Sequence, residues 1–285
     1  MDLKERLHSH LIQIVRDRNP YLASAGHFYV QQYIREQLSQ WGSVEIDDFA
    51  VRGRIHHNLI LDLPALSLPL GKGGKQEKPI VIGAHYDTVL GTPGADDNAT
   101  GVAVLLELAA EFASRPLKYP VQLIAFDMEE YGCFGSKYHA AKFKEKQQSI
   151  RLMVSLEMLG YCNHNPNSQN YPAGLKYFYP NIGNFIALIG NLWTVPDMIK
   201  LSRNIRKSGQ LCEWLPVPNR GLVVPDTRRS DHAPFWDNDY PAIMVTDTAN
   251  MRNPHYHGKS DRIETLDLDF LAGVCGGLVE AIRHL

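Results

Sequence analysis

Cysteine is scarce. The chain of 285 residues holds four, Cys133, Cys162, Cys212 and Cys275, widely separated and with no C-x-x-C pair. Free buried thiols are expected rather than a disulfide framework. Long apolar runs are absent, so nothing reads as a membrane-spanning helix. Residues 1–19 carry charges throughout their apolar pattern. They have neither the apolar stretch nor the small-residue cleavage site of a signal peptide. A cytoplasmic location is the expectation. Basic runs are missing too, and the formal net charge is −2. That argues against nucleic acid or an anionic membrane as the main partner. Repeats, low-complexity tracts and linkers are also lacking, so residues 1–285 read as one domain.

What is present is an ordinary globular composition, 44% apolar. This suffices for a large core without a disulfide or structural metal. Leu3, Leu7, Leu11, Ile14 and Val15 recur at helical spacing, and a second helix is predicted over 23–41, ended by Gly42. Segments 44–51 and 55–63 read as strands, and the Gly- and Lys-rich stretch 70–78 as an exposed turn. A rhythm follows: strand 79–84, helix 98–112, strand 121–126, helix 134–146, strand 152–156. Such alternation implies parallel pairing with right-handed crossovers. An irregular region spans 160–183. After it the pattern gives strand 186–190, helix 196–208, strand 241–246 and a closing helix 266–284.

Open parallel sheets bind ligands beyond the carboxyl ends of their strands. Three buried apolar runs stop abruptly there in metal-binding side chains. They end in His85-Tyr-Asp87, in Asp127-Met-Glu129-Glu130 and in Glu157-Met. On neighbouring strands these groups would gather at one rim of the sheet. His85 and Asp87 lie two apart and share a face if the strand continues. A metal-ligating His usually donates its other ring N–H to a carboxylate, and Asp87 is placed to receive it. Gly94-Ala-Asp96-Asp97-Asn98-Ala-Thr-Gly101 opens the next helix. One cap needs one side chain, so two Asp and an Asn exceed that need. Asp97 is the better candidate for a carboxylate bridging two metals, and Asp96 for a structural role. Adjacent Glu129 and Glu130 repel each other unless cations are near. At a metal site one can bind and the other can take a proton from water. Asn253-Pro-His255-Tyr256-His257 offers a last ligand, either His255 or His257.

Together these segments resemble the M28 family of metal-dependent exopeptidases. The matching motifs are His85-Tyr-Asp87, Gly94-Ala-Asp-Asp97-Asn-Ala-Thr-Gly101, Asp127-Met-Glu129-Glu130-Tyr-Gly, Ser155-Leu-Glu157-Met, Ser230-Asp-His232-Ala-Pro-Phe and Tyr256-His257. They stand in the family's order from about residue 79 onward. The resemblance implies an α/β fold, three layers of helix, sheet and helix around a mixed, mostly parallel sheet. It implies two divalent ions, with Zn²⁺ the expected metal. His85, Asp97 and Glu157 would hold one, and Asp97, Glu130 and His257 the other. It assigns Glu129 as general base, Asp87 as the partner that orients His85, and Tyr256 as the group polarising the scissile carbonyl. The activity implied is an aminopeptidase acting on peptides with a free N-terminus.

One departure matters. Many such aminopeptidases have Asp where this chain has Glu157, which puts metal preference and amine-binding geometry in question. Ser230-Asp231-His232 suggests a Ser-His-Asp triad, but no G-x-S-x-G elbow is present, so Asp231 and His232 read as support for the site loop. Two other readings use the same fold. A glutaminyl cyclase would bind a single zinc and cyclise, and a non-catalytic binding domain would lack ligands or base. The intact Asp-Asp-Asn and Glu-Glu motifs favour two metals and hydrolysis.

Overall fold

The computed structural model describes residues 1–66, 78–172 and 174–285. The expected turn at 70–78 lies, apart from Lys78, outside the described residues. Two helices open the chain, α1 (Leu3–Ile14) and α2 (Ser24–Ser39). Asp2 starts α1 with a capping box: its side chain accepts from Glu5 N at 2.8 Å, and Glu5 accepts from Asp2 N at 3.0 Å. Then come β1 (Val44–Val51), β2 (Arg54–Leu63), β3 (Ile80–His85), α3 (Gly101–Ser114), β4 (Val121–Phe126), α4 (Phe134–Glu145) and β5 (Leu152–Glu157). The second half adds β6 (Ile186–Asn191), α5 (Val195–Lys207), β7 (Cys212–Val217), α6 (His232–Asp237), β8 (Ala242–Thr246) and α7 (Leu268–Arg283).

The strands form one eight-stranded sheet in the order β1-β2-β4-β3-β5-β8-β6-β7. Its centre, β4-β3-β5-β8, is parallel, while β2 joins β4 and β6 joins β8 antiparallel. Alternation along each strand divides the core in two. Ile80, Ile82, Leu123, Leu152 and Val154 pack beneath a helix layer that includes α1, α2, α3, α5 and α7. Val81, Ile124, Phe126 and Met153 face α4 and α6, through Ala140, Phe143, Phe235 and Trp236. Period two in the strands thus builds the three layers. All four cysteines are free. Among the described residues no helix is long and apolar enough to cross a membrane.

Three elements depart from the sequence expectation, one of them the short helix α6, which was not expected. Strand β7 was not expected. Its segment Cys-Glu-Trp-Leu-Pro-Val contains Pro216, which an edge strand tolerates, and among the described residues β7 pairs only with β6. The helix expected from 98 begins instead at Gly101, after a kinked turn over Ala95–Thr100 in which Asp97 (φ −104°, ψ 91°) and Asn98 (φ −131°, ψ 40°) are not helical. Tertiary bonds explain the kink. Asn98 Nδ2 donates to Leu156 O at 2.8 Å, and its Oδ1 accepts from Gly101 N at 3.2 Å and Met158 N at 3.1 Å. One side chain caps α3 and fastens it to the end of β5. Gly101 permits this, because a Cβ there would collide with Asn98 Oδ1 and Leu156 O.

Candidate metal centre

Strands β4, β3 and β5 are adjacent, so their carboxyl ends deliver Glu129-Glu130, His85 and Glu157 to one rim. The chain turns sharply as it leaves two of them: Met128 and Met158 have φ of 62° and 51°, and His257 itself has φ of 55°. Left-handed backbone at non-glycine residues is costly and gathers at functional sites.

The ligand candidates form two overlapping groups, His85 with Asp97 and Glu157, and Asp97 with Glu130 and His257. Asp97 belongs to both. Its Oδ1 lies 3.3 Å from His85 Nε2, and its Oδ2 lies 3.1 Å from His257 Nε2. Glu157 Oε2 is 3.5 Å from His85 Nε2, and Glu130 Oε2 is 3.2 Å from His257 Nε2. The extra methylene of Glu157 is accommodated by Ser230, whose hydroxyl donates to Glu157 Oε2 at 2.7 Å. That contact removes Ser230 from any triad. His232 instead sits buried, bonded through Nε2 to Thr227 O at 2.7 Å and edge-on to Trp236. His255 bonds Ser260 Oγ at 2.9 Å and takes no part in either group.

The surrounding bonds fix the loops rather than the side chains alone. Asp87 Oδ1 lies 3.5 Å from His85 Nδ1, and the Asp87 carboxylate also accepts the amides of Glu129 (3.0 Å) and Glu130 (3.2 Å). It thereby ties the β4 loop to the end of β3. Asp261 accepts from Asp96 N at 2.8 Å and Asp97 N at 3.1 Å. Asp96 turns away from the centre to Asn253 Nδ2 (2.7 Å) and Gly160 N (2.9 Å), the structural role expected of it.

Electrostatics follow from burial. His85 Nε2 and Asp97 Oδ1 are buried and make no hydrogen bond, although they lie close together. Buried polar atoms without partners are rare, and a nitrogen and a carboxylate oxygen that face each other unbonded fit a cation held between them. Burial, with Glu157 and Glu130 nearby, holds the Glu129 carboxyl well above its ordinary range. Burial and the charge of Asp97 push Glu130 up to about 7. Burial alone would lower His257, but its contacts with Asp97 and Glu130 raise it to about 10. For Asp97 the contacts with His257 and His85 outweigh burial and keep its carboxyl below the usual range. The cluster therefore suits divalent cations: N and O donors converge, and the carboxylates exceed what the histidines neutralise. Glu129 stands at the edge, its Oε2 4.0 Å from His85 Nε2 and its Oε1 accepting from Cys133 Sγ at 3.3 Å. Tyr256 stacks on His257 at a centroid distance of 3.8 Å. Asp231 is fully buried near this edge, and burial pushes its carboxyl up to about 7.

Glu157 and Tyr256 also line an apolar pocket walled by Tyr171, Tyr179, Phe185, Trp214 and Met244. The sequence reading missed Arg18, which follows α1 and is fully buried. Its guanidinium donates to Tyr86 O (2.7 Å), Pro93 O (2.8 Å) and Gly94 O (2.9 Å), with Asp97 O at 3.4 Å. Gly94, at φ 60°, leaves room for this approach, since a Cβ would press on Arg18 and Asp97 O. No local pattern marks an arginine whose partners lie some seventy residues away. Arg18→Met should lower the unfolding free energy by about 3–5 kcal/mol in urea denaturation, because it strands buried carbonyls and buried carboxylates. A loss under about 1 kcal/mol would mean the cation does not hold the Asp97 loop.

Known proteins resemble this chain in both sequence and fold. The model of peptidase family M28 matches residues 68–279. The uncharacterized protein YfbL of Escherichia coli (strain K12) is 35% identical over 268 residues, covering 89% of this chain and 79% of that one. A probable leucine aminopeptidase of Arthroderma benhamiae is 26% identical over 216 residues, covering 70% of this chain and 51% of that protein's length. In fold, the LapA aminopeptidase of Legionella pneumophila superposes with a TM-score of 0.72 at 20% identity, over 98% of this chain and 71% of its own. The chain belongs to peptidase family M28.

Proposed function

We propose that the chain is a metal-dependent aminopeptidase that removes N-terminal residues from peptides. The observation that carries this reading is the pair of His–carboxylate groups sharing Asp97, with Glu129 beside them and an apolar pocket opening at Glu157. His85, Asp97 and Glu157 would hold one divalent cation, and Asp97, Glu130 and His257 a second, with Zn²⁺ the expected ion. Bound there, the cations would polarise the scissile carbonyl and bring the pKa of water down to about 7.

The protein's own groups supply the rest. Glu129 takes the proton of the attacking water and returns it to the leaving amine. Its carboxylate stands at the edge of the ligand groups, 4.0 Å from His85 Nε2, where it can pass a proton without itself being taken up as a ligand. Asp87 holds His85 and the Glu129-Glu130 amides in register, so that ligand and base stay aligned. Tyr256 donates from its hydroxyl to the carbonyl oxygen as that oxygen gains charge. Glu157, a metal ligand that also borders the pocket, receives the substrate's N-terminal ammonium. Pairing that ammonium with a carboxylate is what favours an exopeptidase over an endopeptidase. The side chain next to it enters the aromatic pocket, whose Tyr171 and Tyr179 come from the irregular 160–183 region. Large apolar N-terminal residues are the matching substrates. Both ligand groups are complete and the base is present, which supports hydrolysis over cyclisation by one zinc or binding alone.

The direct test is turnover of leucyl and phenylalanyl peptides, free or N-acetylated, with metal counted on the same sample. The free-amine peptides should be cleaved and the acetylated ones not. Equal cleavage of both, or pyroglutamate formation with one tight zinc, would overturn the reading. Glu129→Gln should lower kcat by about 10²–10⁴-fold, the usual worth of a general base, while metal content is unchanged. Substantial residual activity would remove Glu129 from that role.

A further inference from the structure

The phenol of Tyr256 is held by a cation that has no part in the reading above. Arg229 Nη2 donates to Tyr256 Oη at 3.0 Å, and its guanidinium carbon lies 5.5 Å from the centroid of the same ring. The other arm is occupied as well: Nη1 donates to Asn250 Oδ1 at 3.4 Å. Arg229 directly precedes Ser230, whose hydroxyl donates to Glu157. The cation therefore reaches Tyr256 from the same loop that holds a ligand carboxylate. Arg229, Asn250, Tyr256 and Glu157 border one cavity, the pocket assigned above to the substrate's N-terminal residue.

A phenol oxygen has one proton to give and lone pairs with which to accept. Arg229 donates into that oxygen, so the hydroxyl proton cannot point back at the cation and is left for an acceptor on the cavity side. A charged donor also strengthens the bond its acceptor goes on to make, because it offsets negative charge moving onto the oxygen. We propose that Arg229 is a positioning residue for the reaction. Its guanidinium turns the Tyr256 hydroxyl toward the scissile carbonyl oxygen and offsets the charge Tyr256 takes up as that oxygen becomes negative. The proposal rests on the reading of Tyr256 as donor to that oxygen. An arginine suits the task because its planar fork bonds Asn250 and Tyr256 at once, which an ammonium does less well. The competing explanation is an exposed ion pair with Asp226. At 3.9 Å, with both side chains nearly half exposed, that pair is worth little.

A double-mutant cycle tests it, with kcat and KM measured on a leucyl peptide for the metal-loaded enzyme. The variants are Arg229→Met, Arg229→Lys, Tyr256→Phe and the double Arg229→Met/Tyr256→Phe, each checked for metal content and thermal midpoint. Loss of one oxyanion donor should cost Tyr256→Phe about 10²-fold in kcat. Arg229→Met should cost roughly 10-fold in kcat, the worth of one charged hydrogen bond, with KM nearly unchanged. Arg229→Lys should recover part of that loss. In the Tyr256→Phe background, Arg229→Met should cost nothing further. Additive losses, or an effect confined to KM, would overturn the proposal by making Arg229 a substrate-binding group. If Tyr256→Phe cuts kcat while Arg229→Met does not, Arg229 is merely structural and the Tyr256 reading survives. If Tyr256→Phe leaves kcat intact, that reading fails and this inference fails with it.

Discussion

The carboxylate of Asp97 is the constraint on which the rest of the site depends. Its two oxygens face different histidines, one on β3 and one on the loop before α7, and each histidine brings a further carboxylate. Remove that shared group and the site falls into two half-sites. Burying so many acids together is unfavourable unless cations neutralise them. The fold therefore invests heavily in holding one residue. Asp261 takes the Asp97 amide, Arg18 lies against its carbonyl, and Asn98 locks the next residue to β5.

Those supports come from all over the chain: Arg18 after α1, Asp261 before α7, and Leu156 on β5. Only a closed fold assembles them. Sheet order performs the first step, because adjacency of β4, β3 and β5 makes three separated motifs neighbours at one rim. Loop geometry performs the second. The left-handed residues Met128, Met158 and His257 turn the chain just where a functional side chain must point inward. Glu157 belongs to a candidate ligand group and also lines the apolar pocket, so the two features adjoin.

Much of this was legible in the sequence because it is local. Buried strands announce themselves as apolar runs, and the abrupt change to His or acid at their ends marks the rim. Strand 121–126 agrees to the residue, and its neighbours to within one or two at each end. The excess of acids over what a cap needs marked the Asp96-Asp97-Asn98 segment, and the family resemblance assigned Asp97 as the bridge. What was hidden is tertiary. The helix after Asp97 could not reveal its kink, because the kink is enforced by Leu156 and Met158, far along the chain. Arg18 looked like any charged residue after a helix. Strand β7 was masked by Pro216, and α6 by its brevity and by Pro234. The choice of His257 over His255 rested on the family resemblance, since the residues alone favoured neither. In the structure His255 turns to Ser260 while His257 meets Asp97 and Glu130.

The central claim is that Asp97 joins two cation sites into one. Calorimetric titration of the metal-free protein with Zn²⁺, repeated on three variants, addresses it most directly. The account predicts two equivalents for the native chain and loss of one each in Glu157→Gln and Glu130→Gln. Asp97→Asn should weaken both together. A single equivalent in the native chain, or an Asp97→Asn variant that keeps one site at native affinity, would contradict it.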